Sequence, residues 1–258
     1  MPAPRSVAVL AALAALAASA RPAAAEPDPA APPPRGAPGG AQAATVILDG
    51  APTRVRWTDG DSFRVLSGPH RGRRTRLQGF NALEAYGPVH RWGGWTPAEL
   101  LAVARGATRA AAAGRWTCTT GAGDDRYERL LVDCPDAALA LVGAGLALAY
   151  AMEGASPAAL LAAQAEARRA GAGMWAKGTP ARVVTSLHAA GEPGLEAGRA
   201  YDRVVDAATG EARAVRHARR YRECEEACRG EGADRTCMVY VPYERRYRDR
   251  PACLRRAP

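Results

Sequence analysis

The sequence has few aromatic side chains and almost no lysine. Aromatic residues make up 6% of its 258 residues, and Phe63 and Phe80 are the only phenylalanines. Much of the 48% hydrophobic content is alanine, so that figure overstates the material available for a core. Lys177 is the single lysine among 35 basic residues. A chain of this length can bury one sizeable core with a small appendage, but it is short for several full domains.

Long apolar runs are missing after the first 25 residues. Residues 1–25 have the pattern of an export signal, with Arg5 before an apolar stretch at 7–18 and three alanines at 23–25. The most apolar segment beyond it, 137–151, is short and interrupted by glycines. No cysteine follows the apolar stretch closely. We therefore expect a secreted or periplasmic protein with a cleaved signal peptide, no membrane span and no lipid anchor.

The charge is strongly positive. The formal net charge is +9 and the sequence pI is about 9.7. An exported protein of this charge is expected to be attracted to polyanions such as nucleic acids. An alanine- and arginine-rich composition that is poor in lysine also follows from coding bias, so charge alone leaves both explanations open.

Cysteine usage favours disulfides over a metal site. There are six cysteines, an even number, in a chain expected to reach an oxidising compartment. Cys118 and Cys134 flank one predicted hairpin, and the other four lie between residues 224 and 253. We predict one bridge between Cys118 and Cys134 and two in the C-terminal segment, whose pairing stays open among three connectivities.

Composition and periodicity divide the chain into four parts. After the signal, the Pro-, Ala- and Gly-rich residues 26–43 are predicted to form a disordered linker. Residues 44–178 are expected to form the main domain, and residues 179–258 an Arg- and Cys-rich C-terminal module or tail. The apolar content of that last part is too low for it to build a core unaided.

Short alternating runs predict strands at the start of the main domain, and helical signals follow them. An antiparallel meander is expected from four runs, at 45–50, 53–60, 61–68 and 73–80. Two more strands are expected at 115–120 and 129–134. Helices are predicted from the capping box at Thr96 to about Ala113, from Asp136 to Gly145, and from Ser156 to Ala170. Residues 195–230 are expected to be partly helical and 236–241 to form a strand. This order predicts an α+β fold built on a small barrel.

Acids and arginines recur where the predicted strands meet loops. Phosphodiester hydrolysis needs oxygen ligands for a hard cation, a base for the attacking water, and fixed positive charge for the transition state. Asp61 and Asn81, with the Ala82 carbonyl, can ligate calcium, and Glu84 can act as the base.

Two arginines, Arg76 and Arg129, can bind a phosphate through their forked donors. Arg74 shares a strand face with Arg76, so parity alone does not single out Arg76. The structural alternatives are surface salt bridges for the two arginines, a solvated loop position for Glu84, and an ordinary turn for the Asp-Gly-Asp segment.

The ordered set of these segments resembles the thermonuclease, or staphylococcal nuclease-like, family over about residues 45–178. The segments that carry the resemblance are DGDS at 59–62, RLQGFNALE at 76–84, DRYER at 125–129, GLALAY at 145–150 and AQAEARRAGAGMWA at 163–176. Five segments in the family's order are far more specific than any one of them.

The resemblance implies an OB-type five-stranded β-barrel with three helices, here followed by a small disulfide-stapled segment. It also implies calcium-dependent cleavage of DNA and RNA. Asp61, Asn81 and Ala82 correspond to the metal site, and Glu84 corresponds to the general base. Arg76 and Arg129 correspond to the phosphate-binding arginines. The nucleotide pocket corresponds to Arg126, Tyr127 and Tyr150.

The chain departs from the family pattern at the metal site. Asn81 stands where the family has a second metal-ligating aspartate, and Leu83 replaces a proline. An amide offers one neutral oxygen, so calcium binding is expected to be weaker than with a carboxylate. A flexible loop of the family is almost absent after Glu84, where HRWGGW occupies residues 90–95. The aromatics of that segment are predicted to pack the edge of the barrel rather than to line the cleft.

The first hypothesis is therefore an exported, monomeric, calcium-dependent endonuclease with little sugar specificity. The second is a binding module of the same fold that has lost catalysis and holds nucleic acid through arginines and tyrosines. The third is an envelope protein whose C-terminal tail docks a partner. Cleavage that stops on chelation distinguishes the first from the second.

Overall fold

The computed structural model describes residues 42–193, 195, 199–246 and 251–255. The predicted signal at 1–25 lies outside the described residues, and so does the predicted linker except for residues 42 and 43, which belong to the first strand.

The described residues form a mixed α+β fold with several sheets and four α-helices. The helices are α1 (Pro97–Ala113), α2 (Pro135–Gly143), α3 (Ala158–Arg169) and α4 (Ala252–Arg255). The strands up to residue 149 are β1 (Gln42–Leu48), β2 (Ala51–Asp59), β3 (Ser62–Val65), β4 (Thr75–Leu77), β5 (Phe80–Ala82), β6 (Val89–Trp92), β7 (Thr117–Asp124), β8 (Leu130–Asp133) and β9 (Ala147–Ala149). The later strands are β10 (Arg182–His188), β11 (Ala200–Asp206), β12 (Ala212–His217), β13 (Glu226–Arg229) and β14 (Thr236–Val239).

The largest sheet has six strands in the order β3-β2-β1-β7-β8-β4. Alternation sets its register: in β2 the side chains of Val55 and Trp57 are buried, whereas Arg54 and Arg56 are exposed. β1 and β2 pair antiparallel, as do β2 and β3, which confirms the first three strands of the predicted meander.

The fourth strand of the predicted meander is confirmed in its first part, because Arg64 of β3 forms an antiparallel bridge with Arg74 and β4 follows at Thr75–Leu77. β4 pairs in parallel with β8, and the run 73–80 does not stay extended, because Gly79 takes a positive φ of 85°. The chain resumes as β5, which pairs with β9 in a separate two-stranded sheet. The break lets β5 leave the large sheet and lie beside it.

Backbone hydrogen bonds link β3 and β4, the two end strands of the large sheet. Leu77 N donates to Asp61 O and Val65 N to Arg73 O, each over 2.9 Å, and Arg64 forms a bridge with Arg74. β3 and β4 therefore lie side by side, running in opposite directions.

Local sequence signals explain the helices. α1 has the predicted capping box, in which the Thr96 hydroxyl accepts from Glu99 N and the Glu99 carboxylate accepts from Thr96 N. For α2 the prediction of Asp136 as the cap is wrong: Cys134 is the N-cap and Asp136 lies in the first turn. α3 begins one residue after Pro157 and ends near Ala170, close to the predicted limits.

The prediction of partial helix at 195–230 is wrong. β11 and β12 pair with β10 in an antiparallel sheet, and β13 lies in the order β13-β14-β6. β12 keeps residues 213–216 exposed, so its alternation is weak in the sequence. The strand predicted at 236–241 is confirmed as β14, whose four residues are all buried.

The C-terminal segment shares both a sheet and a core with the main domain. β14 pairs antiparallel with β6, from Thr236 opposite Trp92 to Val239 opposite Val89. One apolar cluster contains Trp92 and Trp175 together with Val183 and Val205. Trp92 thus packs in the interior, in a core that it shares with the C-terminal segment. A separate cluster around Trp57, Phe63 and Phe80 fills the space inside the large sheet.

All six cysteines form disulfides. Cys118 pairs with Cys134 as predicted, and the open connectivity is Cys224 with Cys253 and Cys228 with Cys237. Within the described ranges, no helix is long and apolar enough to cross a membrane.

Candidate active site

The tight turn between β2 and β3 brings Asp61 into the interior. Asp61 is 4% exposed, and its Oδ1 accepts from the Ser62 hydroxyl over 2.8 Å. Its Oδ2 accepts from Ala82 N over 2.9 Å. A Cβ on Gly60 would lie 2.7 Å from the Ala82 Cβ, so only glycine allows the turn to pack this closely on β5.

Arg76 joins that turn to the segment that follows β4. Its Nη1 forms a salt bridge with Asp61 Oδ2, and its Nη2 donates to Asn81 Oδ1 over 2.8 Å. The Tyr150 ring lies against the guanidinium, with 5.6 Å between Cζ and the ring centroid. Burial opposes the charge of Arg76, but the Asp61 carboxylate outweighs burial and raises the pKa of Arg76.

The three groups expected to ligate calcium lie next to one another. Asn81 Nδ2 donates to the Ala82 carbonyl over 2.7 Å, and Asn81 Oδ1 accepts from Arg76. Ala82 N binds Asp61, so the backbone of β5 is held directly against the carboxylate. The structure therefore brings Asp61, Asn81 and Ala82 together, and it places Arg76 on two of them.

Glu84 follows β5 in a partly buried position. Its backbone N donates to His90 Nε2 over 3.2 Å, and a Cβ on Gly87 would lie 3.1 Å from Glu84 Oε2. Burial and the nearby Asp61 charge raise the pKa of Glu84, whereas the charges of Arg76, Arg246 and Arg129 act in the opposite direction. A carboxyl whose pKa is raised is better matched to proton transfer near neutral pH.

Sequence reasoning missed two residues here. Burial, followed by the charges of Asp61 and Glu84, raises the pKa of Asp59 well above its usual range. The signal was its place in the DGDS turn, two residues before Asp61. His90 is 1% exposed, and burial lowers its pKa to about 3, so a neutral ring holds the backbone of Glu84. Its closeness to Glu84 in the sequence allows a place along the cleft, but edge packing is the preferred prediction for this segment and the ring is assigned no role.

Arg129 is oriented by the turn that precedes it. Arg129 Nε donates to Asp125 Oδ2 over 2.8 Å, and Asp125 Oδ1 accepts from the backbone N of both Tyr127 and Arg129. Burial would raise the pKa of Asp125, but the hydrogen bonds from Arg129 outweigh it and the pKa is lowered. Arg129 reaches the acidic cluster through its charge, which acts on Glu84, without contacting Asp61 or Arg76.

The three residues expected to line a nucleotide pocket are divided between two places. Tyr150 lies against Arg76, beside the acids. Arg126 and Tyr127 lie on the exposed turn, where the Arg126 guanidinium contacts the hydroxyls of Tyr127 and of Tyr201 from β11. Sequence reasoning missed Tyr201, because nothing local links it to residue 126.

The donor set around Asp61 fits a hard divalent cation. Carboxylate, amide and carbonyl oxygens are the ligands that such ions prefer. Burial and then the charges of neighbouring acids raise the pKa values of Asp59 and Glu84, and a bound cation would reduce the repulsion among these acids. Another cluster, Glu226 with Cys228 and Cys237, offers no thiolates, because its two sulfurs are bonded to each other.

Comparison of the chain with models of known protein families gives no match, and comparison with curated proteins gives none either.

Proposed function

We propose that this protein is an exported, metal-dependent endonuclease of the thermonuclease type that hydrolyses phosphodiester bonds in DNA and RNA. The observation that carries the proposal is the joint placement of Asp61, Arg76, Asn81 and Ala82 in direct contact, with the charges of Glu84 and Arg129 acting on the same cluster. These six residues come from three of the five segments that resemble the family.

In the proposed reaction Asp61, Asn81 and the Ala82 carbonyl would hold calcium. The bound ion would supply Lewis-acid stabilisation of charge on the phosphate. Glu84 accepts a proton from the water that attacks phosphorus, helped by its raised pKa. The bond from phosphorus to the 5′-oxygen breaks, the 3′-phosphate is left, and the departing oxygen takes a proton from solvent. Arg76 and Arg129 donate to the phosphate oxygens as negative charge develops. His90 positions Glu84 through the backbone, and Tyr150 supports the Arg76 guanidinium.

The OB-type barrel is part of the same proposal. The hydrogen bonds from Leu77 to Asp61 and from Val65 to Arg73 support it, because they bring β3 and β4 together at the two ends of the strand order. The three disulfides support the proposed export, since such bonds persist in oxidising compartments.

The test uses purified protein with plasmid DNA or RNA, in calcium or in chelator. We expect cleavage with calcium, none with chelator, and a kcat at least about 100-fold lower in Glu84→Gln. The matched control is Glu166→Gln, an exposed glutamate on α3, which should cleave like the wild type. Full activity in Glu84→Gln, or cleavage that ignores chelation, would contradict the proposal.

A second candidate function is nucleic-acid binding without cleavage. It is favoured by the contacts that Arg76 makes with both Asp61 and Asn81, because these engage oxygens that a cation would need. In this case the same assay gives DNA that is retarded on a gel but stays intact in calcium.

A further inference from the structure

A cluster of tyrosines and arginines joins the exposed turn of the main domain to the C-terminal sheet. We call it the Tyr127–Tyr201 cluster, and it consists of Arg74, Arg126, Tyr127, Tyr201 and Arg203. The two tyrosine hydroxyls lie 3.2 Å apart, and the Arg126 guanidinium contacts both of them. The Arg126 Cζ lies 4.6 Å from the Tyr127 centroid and 5.1 Å from the Tyr201 centroid.

Two more arginines border this pair of rings. Arg74 Nη2 donates to the Tyr127 carbonyl over 2.9 Å, and the Arg203 Cζ lies 5.4 Å from the Tyr201 centroid. The Tyr201 ring also packs against the ring of His188, with ring centroids 4.3 Å apart and an interplanar angle of 30°. Tyr201 is 5% exposed and Tyr127 is 40% exposed, so the outer ring is open to a ligand and the inner ring is held rigidly.

The positive charge of the cluster is not neutralised locally. Within the part of the chain that the structure describes, Arg74, Arg126 and Arg203 form no salt bridge with a carboxylate. Arg203 Nε is buried and has no hydrogen-bond partner among the described residues. Positive charge that no carboxylate neutralises attracts anionic ligands such as a phosphate.

The cluster continues into the candidate active site. Arg129 interacts with both, because its Cζ is 5.5 Å from the Tyr127 centroid and its charge acts on Glu84. A strand whose scissile phosphate lies at Arg76 and Arg129 would therefore pass over Tyr127.

We propose that Arg74 and Arg203 form a second phosphate-binding subsite for single-stranded nucleic acid, beside the nucleotide pocket that is expected at Arg126 and Tyr127 and away from the bond that is cleaved. This inference rests on the proposed function and extends it. Arg74 and Arg203 bind a backbone phosphate of the flanking nucleotides, and Arg126 with the exposed Tyr127 ring stacks a base. Tyr201 is a positioning residue that holds Arg126. Two of the five residues of the cluster, Tyr201 and Arg203, lie on β11, so the C-terminal segment contributes to substrate binding.

The test measures binding of the full-length protein to a fluorescein-labelled oligothymidylate of about ten nucleotides, in chelator so that no cleavage occurs. Fluorescence anisotropy over a range of salt concentrations gives the slope of log affinity against log salt. We expect Arg203→Gln to weaken binding about tenfold at low salt and to reduce the slope by about 0.7, the value for one phosphate contact to a single strand. Arg74→Gln should do the same, and the double variant should lose about twice that slope.

Arg213→Gln is the matched control. Arg213 lies on β12 of the same sheet and forms a salt bridge with Glu211. It lies opposite Val204, the residue next to Arg203 on β11, so the side chains of Arg213 and Arg203 lie on opposite faces of the sheet. This variant should bind like the wild type. Arg203→Lys should keep the slope, because the charge is kept. Tyr201→Phe should keep the slope and lower affinity a few-fold, because only the hydroxyl contacts with Arg126 are lost.

The outcomes separate this subsite from the proposed catalysis. If both Arg203→Gln and Arg74→Gln bind like Arg213→Gln while the wild type cleaves DNA, the subsite is refuted and the nuclease stands. If the wild type does not cleave but the slopes fall as expected, the subsite stands and the nuclease is refuted. Thermal unfolding checks each variant, and Arg74→Gln decides the matter if Arg203→Gln does not fold. Release by polyglutamate as efficient as by unlabelled oligonucleotide would overturn the assignment to nucleic acid.

Discussion

At the scale of single residues, the most unusual feature is the concentration of acids around Arg76. Asp59, Asp61 and Glu84 act on one another through their charges, and burial strengthens this repulsion. Such an arrangement costs folding free energy, and it is typical of sites that bind a cation or transfer a proton.

The free-energy cost of holding these buried acids together predicts how the stability of the folded protein depends on pH. The pKa of Asp59 is raised in the folded protein, so the folded state holds this proton to higher pH than the unfolded state does. Stability is therefore lost as pH rises from the ordinary carboxyl range, near about 4, through the raised pKa. Asp59→Asn should be more stable than the wild type at pH 7 in chelator and equal to it below about pH 4.

Urea unfolding at the two pH values measures this difference. Asp133→Asn, at an exposed carboxylate on β8, serves as the control and should leave the pH profile unchanged. An Asp59→Asn variant that is no more stable at neutral pH would show that Asp59 carries no such cost.

The residue at position 81 is expected to control calcium affinity. Asn81→Asp adds a carboxylate beside Asp61 and should tighten calcium binding roughly tenfold, because calcium affinity rises with the number of charged ligands. Isothermal titration with calcium alone measures this change. Unchanged affinity would indicate that side chain 81 stays with Arg76 and does not face the ion.

Gly60 is expected to be irreplaceable for steric reasons. Its Cβ would lie 2.7 Å from the Ala82 Cβ and 2.9 Å from the Ala107 Cβ, so Gly60→Ala should destabilise the protein by about 1–3 kcal/mol. Gly106→Ala, within α1, has its nearest contact at 3.8 Å and should stabilise by about 0.5–1 kcal/mol. Chemical denaturation compares the two, and similar effects would refute the packing argument.

At the scale of elements, the Cys118–Cys134 disulfide joins β7 to the residue that caps α2. The loop that it closes contains the turn carrying Arg126 and Arg129 and spans a sequence separation of 16. Replacing both cysteines by alanine should therefore cost about 3 kcal/mol of stability and weaken oligonucleotide binding.

Guanidinium chloride denaturation and the anisotropy assay check both parts. Replacing Cys228 and Cys237, which close a shorter loop, should cost less stability and leave oligonucleotide binding unchanged. Loss of binding in that control instead would mean that the Cys118–Cys134 bridge has no special relation to the arginines.

At the scale of the whole molecule, the C-terminal segment is an integral part of the fold. β14 covers the edge of β6, whose His90 supports Glu84, and Val183 and Val205 pack in one cluster with Trp92 and Trp175. Removal of this segment would expose an unpaired strand and a large apolar surface.

A chain that ends at Pro180 is therefore expected to lose cooperative unfolding and nuclease activity together. Calorimetry and the plasmid assay measure the two properties. A truncated chain that melts cooperatively near the temperature of the full-length protein would show that the shared sheet and core are dispensable.

The sequence alone was sufficient wherever a local signal decides the structure. The capping box at Thr96 and Glu99 predicted the start of α1, and alternation along residues 53–60 predicted β2, because these preferences depend on neighbours a few positions away. The Cys118–Cys134 pairing was predictable in the same way, from two cysteines at the ends of one predicted hairpin.

Tertiary structure alone decided what depends on distant parts of the chain. It directed β4 to pair with β8, made strands of β11 and β12, and chose the Cys224–Cys253 pairing. Sequence patterns record which side chains seek burial, but not which distant surface will cover them. The residue types of the candidate site were therefore visible in the sequence, whereas the parts played by Asp59, His90 and Tyr201 depend on contacts that form only when the chain folds.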